Sequence, residues 1–154
     1  MLFHSISKVL SEYGSLRELV RGLYEEALGR GFDEPLEFVV RGLAGELRKH
    51  FPADYGRTGI LIPNPSGGSA LKRLNLFLRW MVRPYPDLGV WNFIDKRYLF
   101  VSLDSGLLRT VSRVFKLKFP GGASWRNVLR ITGLFRRINS GDPAKYDYVF
   151  LGQL

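Results

Sequence analysis

Lys72 is the residue best placed for chemistry, within the stretch PSGGSALKRLNLFLRWMVR that runs from Pro65 to Arg83. A glycine-rich turn here leads into a predicted helix, and backbone amides at such a helix start form an anion site. A lysine at the positive end of a helix, beside a second cation, is suited to act as a nucleophile. The alternative is an ordinary lysine on a surface helix. The residues predicted to contact phosphate are Gly67, Gly68, Ser69 and Arg73.

Asp104 is the second candidate for chemistry. It directly precedes apolar residues at helical spacing, beginning at Leu107 and Leu108, so its commonest role would be an N-cap that accepts a backbone amide. A capping carboxylate is also kept ionised by the helix amides and the helix dipole. Two interpretations therefore stay open: a cap alone, or a cap that also offers a fixed negative charge to a cleft.

Two tryptophans, Trp80 and Trp91, flank a predicted loop. This position makes them candidates to stack on a nucleobase or to line a substrate pocket. Phe77 and Trp125 instead fall on apolar helix faces and are predicted to lie in the core. The motif around the two tryptophans also contains three charged residues to which the sequence assigns no role: Arg79, Arg83 and Asp87.

Positive charge is concentrated in the later part of the chain. Residues 1–56 contain 7 Lys and Arg against 9 Asp and Glu, a net charge of −2, whereas residues 57–154 contain 16 against 5, a net charge of +11. Arginine outnumbers lysine 16 to 7, and arginine suits bidentate contact with phosphate. A basic region of this kind attracts polyanions, nucleic acid above all. The alternative is a basic surface that reflects only biased composition.

Several classes of protein are disfavoured by what the sequence lacks. Without cysteine there is no disulfide framework, thiol catalysis or cysteine-bound metal. Two histidines, His4 and His50, are too few for a histidine-based metal site or a Ser-His-Asp triad. The sequence has no apolar run of about 18 residues and no signal peptide. We therefore expect a cytoplasmic protein with no membrane partner.

Hydrophobic periodicity predicts an all-α fold in one domain, 1–154, with scaffold helices in 1–56 and a basic region in 57–154. Residues 52–69 are predicted to be an irregular loop, 90–94 a helical turn and 98–103 a buried connector. Ser15 is expected to cap the second helix, Ser69 the fourth and Ser124 the sixth. The predicted helices cover 2–13, 15–29, 33–51, 69–83, 104–117, 124–139 and 144–153.

The segment LKRLNLFLRWMVR, followed by Asp87-x-Gly89-x-Trp91, resembles a family of uncharacterised prokaryotic proteins related to the helix-hairpin-helix DNA glycosylases. The likeness extends from about Tyr13 to the C-terminus. Members of that superfamily place a catalytic aspartate at a helix start in the pattern Leu/Val-Asp-Thr-His-Val-x-Arg-Val, which Leu103 to Thr110 match in part. Lys72 matches the lysine of bifunctional members best, and its 32-residue separation from Asp104 is similar to that in archaeal 8-oxoguanine DNA glycosylases.

Two features depart from the glycosylase pattern. Ser105 and Gly106 stand where the pattern has Thr-His, which indicates an altered or degenerate site. Glycosylases of this kind also begin well before the residue that corresponds to Met1, so the resemblance implies a fold that lacks its N-terminal part, or one that a partner completes.

The function implied by this resemblance is that of a DNA glycosylase with AP lyase activity on damaged double-stranded DNA. It would excise an oxidised purine similar to 8-oxoguanine through a Schiff base on Lys72, with Asp104 stabilising the developing charge and without a cofactor. Two alternatives are kept. One is a catalytically degenerate DNA-binding relative, and the other is a basic all-α protein that binds RNA or serves in assembly.

Overall fold

The computed structural model describes residues 2–51 and 61–151. Within these residues the fold is all-helical, as predicted, and its only β-type pairing is an isolated antiparallel bridge between Ser69 and Ser124. Residues 52–60 of the predicted loop at 52–69, and residues 152–153 at the end of the last predicted helix, lie outside the described residues. The helices are α1 Leu2–Tyr13, α2 Leu16–Gly29, α3 Pro35–Lys49, α4 Lys72–Val82, α5 Ser105–Phe115, α6 Trp125–Ile138 and α7 Tyr146–Leu151.

The chain divides into two compact units, an N-terminal unit Met1–Gly67 and a C-terminal unit Gly68–Leu154. The boundary falls inside the Gly67-Gly68 turn and not at the change in charge after residue 56. The C-terminal unit contains 15 Lys and Arg against 5 Asp, so it carries a net charge of +10, whereas the N-terminal unit contains 8 against 9. Both residues of the predicted catalytic pair belong to the C-terminal unit.

Apolar stripes on α1, α2 and α3 build the core of the N-terminal unit, with Val9, Val20 and Val39 fully buried. Ser15 caps α2 as predicted, because its side chain accepts a hydrogen bond from the Glu18 amide at 3.1 Å. The start of α3 differs from the prediction. Glu34, not Asp33, is its N-cap and makes no side-chain capping bond, and Pro35 occupies the first turn, where its missing amide costs nothing.

The buried connector that the sequence predicts is the centre of the C-terminal unit. Residues 99–103 are buried and belong to no helix or strand, after a short 3₁₀ helix at Lys96–Tyr98. The amide of Val101 donates to the Thr132 hydroxyl at 3.2 Å, and Phe100 packs edge-on to Trp125 at 5.1 Å. The amide of Ser102 donates to Asp147 Oδ2 at 3.0 Å. Because the Val101 and Ser102 amides bond to side chains, they need no neighbouring strand.

Several predicted boundaries in the C-terminal unit were wrong. Residues 90–94 are coil, turn and bend and not helix. Helix α5 ends at Phe115 because Lys116 adopts the left-handed conformation, with φ of 53°. Ser124 precedes α6 as predicted but makes no side-chain capping bond. The last helix is preceded by a 3₁₀ turn at Pro143–Lys145, so α7 itself begins at Tyr146.

Candidate functional site

Lys72 and Asp104 meet in the structure. Lys72 is the first residue of α4 and Asp104 is the N-cap of α5, and the Lys72 Nζ lies 2.6 Å from Asp104 Oδ2. The other carboxylate oxygen, Oδ1, accepts the Leu107 amide at 2.7 Å. Asp104 therefore caps its helix with one oxygen and presents the other to the lysine. The side chains are 44% and 31% exposed, so an external molecule can approach the pair.

The surroundings of Asp104 favour its charged form. Partial burial alone would raise the pKa of the Asp104 carboxyl, but hydrogen bonds from Lys72 and from the Leu107 and Gly106 amides outweigh burial and hold that pKa below its ordinary value. A carboxylate held in this way is suited to stabilise positive charge that develops beside it, and less suited to act as a base.

We expect the Asp104→Asn variant to lose less than about 1 kcal/mol of unfolding free energy at pH 7. Asparagine caps a helix about as well as aspartate, so the variant loses mainly a half-exposed ion pair. Because the pKa of Asp104 is lower in the folded state, the pair stabilises the fold above about pH 4 and stops doing so as the pH falls through the lowered pKa. Urea unfolding of the wild type and the variant at pH 7 and pH 3 checks this. A difference in unfolding free energy that is larger at pH 3 than at pH 7 would contradict it.

Lys72 follows a strained residue. Leu71 is the N-cap of α4 in the left-handed conformation, with φ of 47° and ψ of 37°, and it is only 2% exposed. This conformation costs a non-glycine residue about 1–2 kcal/mol. Buried Asn75 holds the bend in place, because its side-chain amide donates to the Ala70 carbonyl at 3.0 Å. Leu71 and Asn75 together fix the start of α4, and therefore the position of Lys72, its first residue.

The sequence prediction missed both Leu71 and Asn75 and placed the cap of α4 at Ser69. The Ser69 hydroxyl accepts only the Leu71 amide, at 3.4 Å, and the helix begins two residues later than a serine cap would place it. One signal was present in the sequence: a polar asparagine stands among the apolar positions of α4. An asparagine on a core face usually has a hydrogen-bonding task.

The Asn75→Leu variant should unfold about 1–2 kcal/mol more easily than the wild type. The variant removes the side-chain donor to the Ala70 carbonyl, and Ala70 is only 4% exposed. A buried acceptor without a hydrogen bond costs about 1–3 kcal/mol. Exposed Asn92 offers the matched control, since Asn92→Leu should stay within about 0.5 kcal/mol. Chemical denaturation measures both, and equal stability of the two variants would show that Asn75 does not support the bend.

The turn predicted to hold phosphate leads directly into this site. Gly68 and Ser69 are tied to the start of α6, since the Trp125 amide donates to the Gly68 carbonyl at 2.8 Å and Ser69 bridges to Ser124. Gly67 donates its amide within the turn to the Asn64 carbonyl at 3.0 Å. Arg73 is exposed beside Lys72 on α4. The contact of these four residues with phosphate stays a prediction.

The structure gives the three unassigned charged residues of the motif a structural role. Arg83 binds both Asp142 oxygens, with Nε–Oδ1 at 2.9 Å and Nη2–Oδ2 at 3.0 Å, and also reaches Asp87 Oδ2 at 2.8 Å. Arg79 Nη1 lies 3.0 Å from Asp147 Oδ2. Each of these side chains is 10% exposed or less. We call Arg79, Arg83, Asp87, Asp142 and Asp147 the buried ion network.

The buried ion network is separate from the Lys72–Asp104 pair. Arg83 follows the last turn of α4 and Lys72 begins its first, so a helical rise of about 1.5 Å per residue puts their backbones roughly 16 Å apart. The network instead attaches the end of α4 to the segment that carries α7, where Tyr148 also donates to Asp87 and stacks on Arg79 at 4.4 Å. Its task is therefore to hold the unit together.

The two tryptophans proposed for a base pocket have different environments. Trp80 is 44% exposed on α4 and stays available to a partner. Trp91 is 5% exposed and packs edge-on against Phe77 at 5.4 Å, so in this structure it is a core residue and offers no free face for stacking. Trp125 lies in the core, at 5% exposed, as predicted, and Phe77 is half-buried against Trp91.

Two further features of the described residues bear on ligands. Among residues 2–51 and 61–151, no group of three or more His, Cys, Asp or Glu side chains could hold a metal ion. Over the same residues, no helix is both long enough and apolar enough to cross a membrane.

A family model described as a protein of unknown function, DUF2400, matches residues 1–153. The chain belongs to the DUF2400 family. Neither a curated protein nor a solved structure shows significant similarity to the chain. The prediction of a family of unknown function is therefore confirmed, whereas the relation of DUF2400 to helix-hairpin-helix glycosylases stays a prediction drawn from the motif around Lys72 and Asp104.

Proposed function

We propose that this DUF2400 protein is a DNA glycosylase with AP lyase activity that removes an oxidised purine similar to 8-oxoguanine. The observation that carries the proposal is the 2.6 Å contact between Lys72 Nζ and Asp104 Oδ2, each side chain partly exposed at a helix start. An amine and an ionised carboxylate side by side are the two groups that a lyase acting on a sugar C1′ requires.

The reaction divides between the two side chains. The ammonium of Lys72 first gives up a proton, which water can accept because the pair is partly exposed. The free amine attacks C1′ of the flipped nucleotide, the C1′–N bond breaks, and its electron pair leaves with the base, which takes up a proton. Asp104 stabilises the positive charge that develops on the sugar. The nitrogen then gives one proton to O4′ as the C1′–O4′ bond breaks, which leaves a protonated imine. Loss of a C2′ proton then expels the 3′ phosphate by β-elimination.

The charge of the C-terminal unit supports DNA as the substrate. Its five acidic residues, Asp87, Asp95, Asp104, Asp142 and Asp147, all form ion pairs with lysine or arginine of the same unit. The unit therefore keeps an excess of +10 that its own acidic residues do not offset, and such an excess attracts polyanions. Phosphate contacts of this kind supply most of the affinity for duplex DNA and make it sensitive to salt. The target nucleotide must then leave the base stack to reach a side chain.

Trapping with borohydride tests the proposal. The protein is incubated with a duplex oligonucleotide that contains either 8-oxoguanine or an abasic site, and borohydride then reduces the imine to a stable amine. We expect a covalent protein–DNA adduct that migrates separately in a denaturing gel. An undamaged duplex of the same sequence is the control. Absence of an adduct on both damaged duplexes rejects the lyase function.

A second candidate function is that of a DNA-binding relative without turnover. The observation that favours it is the Ser105-Gly106 pair at the start of α5, where the glycosylase pattern has Thr-His. Duplex binding that weakens with salt, together with no adduct, would support this candidate. If RNA binds better than DNA of the same length and no adduct forms, the protein belongs to a different class of basic helical protein.

A further inference from the structure

An open cleft of about 300 Å³ lies in the C-terminal unit, and neither Lys72 nor Asp104 is among its lining residues. One side comes from Leu117 and Phe119, which follow α5, and the other from one face of α6. This volume is at the lower end for ligand sites in proteins, so it admits one or two anchoring side chains. We call it the α6 cleft, and its lining residues are Leu117, Phe119, Leu129, Arg130, Gly133, Leu134 and Arg137.

The wall opposite α6 is held firmly. Lys116 turns the chain in the left-handed conformation, and the segment after it runs back to α6. Asn127, which is fully buried, donates to the carbonyls of Phe119, Pro120 and Gly122 at 3.4, 3.0 and 2.8 Å. These bonds fix the segment against the helix, so the α6 cleft is a preformed feature.

Two arginines flank the cleft, and their positions on α6 are seven residues apart. Two helical turns separate them, or about 10.5 Å along the axis, so they share one face. Arg130 is oriented in advance: it lies 4.8 Å over the Phe119 ring and donates to the Asn127 side chain and the Lys118 carbonyl, both at 3.4 Å. Arg137 is exposed. No acidic residue is among the lining residues.

The floor between the arginines is apolar and open. Gly133 lies midway on the same helix face, and a Cβ built there would meet nothing within 4 Å. Leu117 and Leu129 leave 40% and 38% of their surfaces exposed beside it. The cleft thus combines an apolar floor, a gap at Gly133 and positive charge at both ends.

We infer that the α6 cleft binds an acidic peptide segment of a partner protein, in which carboxylates flank an apolar anchor such as leucine or phenylalanine. The anchor would enter the gap at Gly133, and the carboxylates would meet Arg130 and Arg137, where arginine favours bidentate contact. Duplex DNA would satisfy the arginines alone, because its phosphate backbone offers no apolar group to two leucines. The exposed leucines therefore favour the peptide. The inference is independent of the proposed lyase chemistry.

The test begins with a random 12-residue peptide library displayed on phage and selected on the full chain. We expect the enriched peptides to share acidic residues on either side of a leucine or phenylalanine. Synthetic copies labelled with fluorescein are then titrated with wild-type protein and three variants, and anisotropy gives the dissociation constants. Gly133→Leu fills the gap without changing charge, Arg137→Glu reverses one flank, and Arg126→Glu is the matched control on the same helix outside the cleft.

The expected result is a dissociation constant raised at least about 10-fold by Gly133→Leu and by Arg137→Glu, and less than about 2-fold by Arg126→Glu. Leucine favours helix over glycine, so Gly133→Leu should stay folded, which circular dichroism confirms. The inference is overturned if Gly133→Leu binds the peptides with wild-type affinity. It is also overturned if Arg137→Glu and Arg126→Glu weaken peptide binding equally. It is also overturned if Arg137→Glu, but not Arg126→Glu, weakens binding of an undamaged duplex about 10-fold, since the cleft would then belong to the DNA surface.

Discussion

Replacing Lys72 with alanine should abolish the borohydride-trapped adduct and reduce strand cleavage at an abasic site by at least about 1,000-fold. Removal of a nucleophile typically causes a loss of this size, because the remaining groups can accelerate only the reaction that proceeds without the amine. The measurement is adduct yield and single-turnover cleavage on the duplex that traps the wild-type protein best. The pH is held fixed so that only the amine differs between the two proteins.

The loss in Lys72→Ala should come without unfolding. The lysine forms one ion pair whose side chains are 44% and 31% exposed, and exposed pairs of this kind contribute less than about 1 kcal/mol. Lys72→Arg is the sharper variant, because it keeps the positive charge and the contact with Asp104 but carries no nucleophilic amine. It should bind duplex DNA within about 2-fold of the wild type and still give no adduct.

The matched control is Lys96→Ala, which removes another exposed lysine of the C-terminal unit. It should lower adduct yield only through weaker phosphate binding, an effect that disappears at low salt. If Lys72→Ala still gives the adduct at wild-type yield, another residue supplies the amine. An adduct lost equally in both alanine variants at low salt would show that Lys72 acts only as a charge.

The sequence was sufficient to predict the parts of the site that follow local rules. Asp104 stands before an apolar periodic run, which is a local signature of a cap, and Lys72 follows a glycine-rich turn, which is a local signature of a helix start. Their approach to 2.6 Å is not local, because the two residues are 32 apart in the chain. Only the motif resemblance connected them before the structure was known.

What the sequence could not reveal depends on distant partners or on rare backbone conformations. Leucine seldom adopts positive φ, so the residue type at position 71 does not indicate the turn, and the helix start was placed at Ser69 instead. Arg83 and Asp142 are 59 residues apart, and Arg79 and Asp147 are 68 apart. Charged residues separated this far look solvated in the sequence, although the fold buries them together.

The buried ion network gives Arg79 and Arg83 a structural role in the same motif as Lys72, the proposed nucleophile. Lys72 begins α4 and Arg83 follows its last turn, and the arginines fasten that end of the helix to the segment that carries α7. At the other end, Leu71 and Asn75 fix where the helix starts. A helix held at both ends can place an amine to within the small tolerance that the proposed attack on a sugar carbon requires.

Replacing Arg83 with methionine should destabilise the protein by about 3–5 kcal/mol, the largest stability effect we expect from one substitution in the C-terminal unit. The variant leaves Asp142 and Asp87, with side chains 10% and 1% exposed, without the guanidinium that binds both. Asp87 keeps the Tyr148 hydroxyl and Arg79 Nε at 3.7 Å, so the cost comes mainly from Asp142, a buried carboxylate that loses its cation. Burial alone disfavours the charged form of Arg83, but these two aspartates outweigh it and raise the pKa of the guanidinium.

Urea unfolding followed by circular dichroism measures the cost, and two further variants separate its causes. Arg97→Met removes an arginine from an exposed pair with Asp95, 60% and 40% exposed, and should cost less than about 1 kcal/mol. The second is a triple variant, Arg83→Met with Asp142→Leu and Asp87→Asn, which removes the two carboxylate charges together with the guanidinium. It should recover much of the lost unfolding free energy, since apolar replacements of a buried ion pair are often neutral. If the combined variant is no more stable than Arg83→Met, the loss comes from the volume and packing of the arginine and not from buried charge.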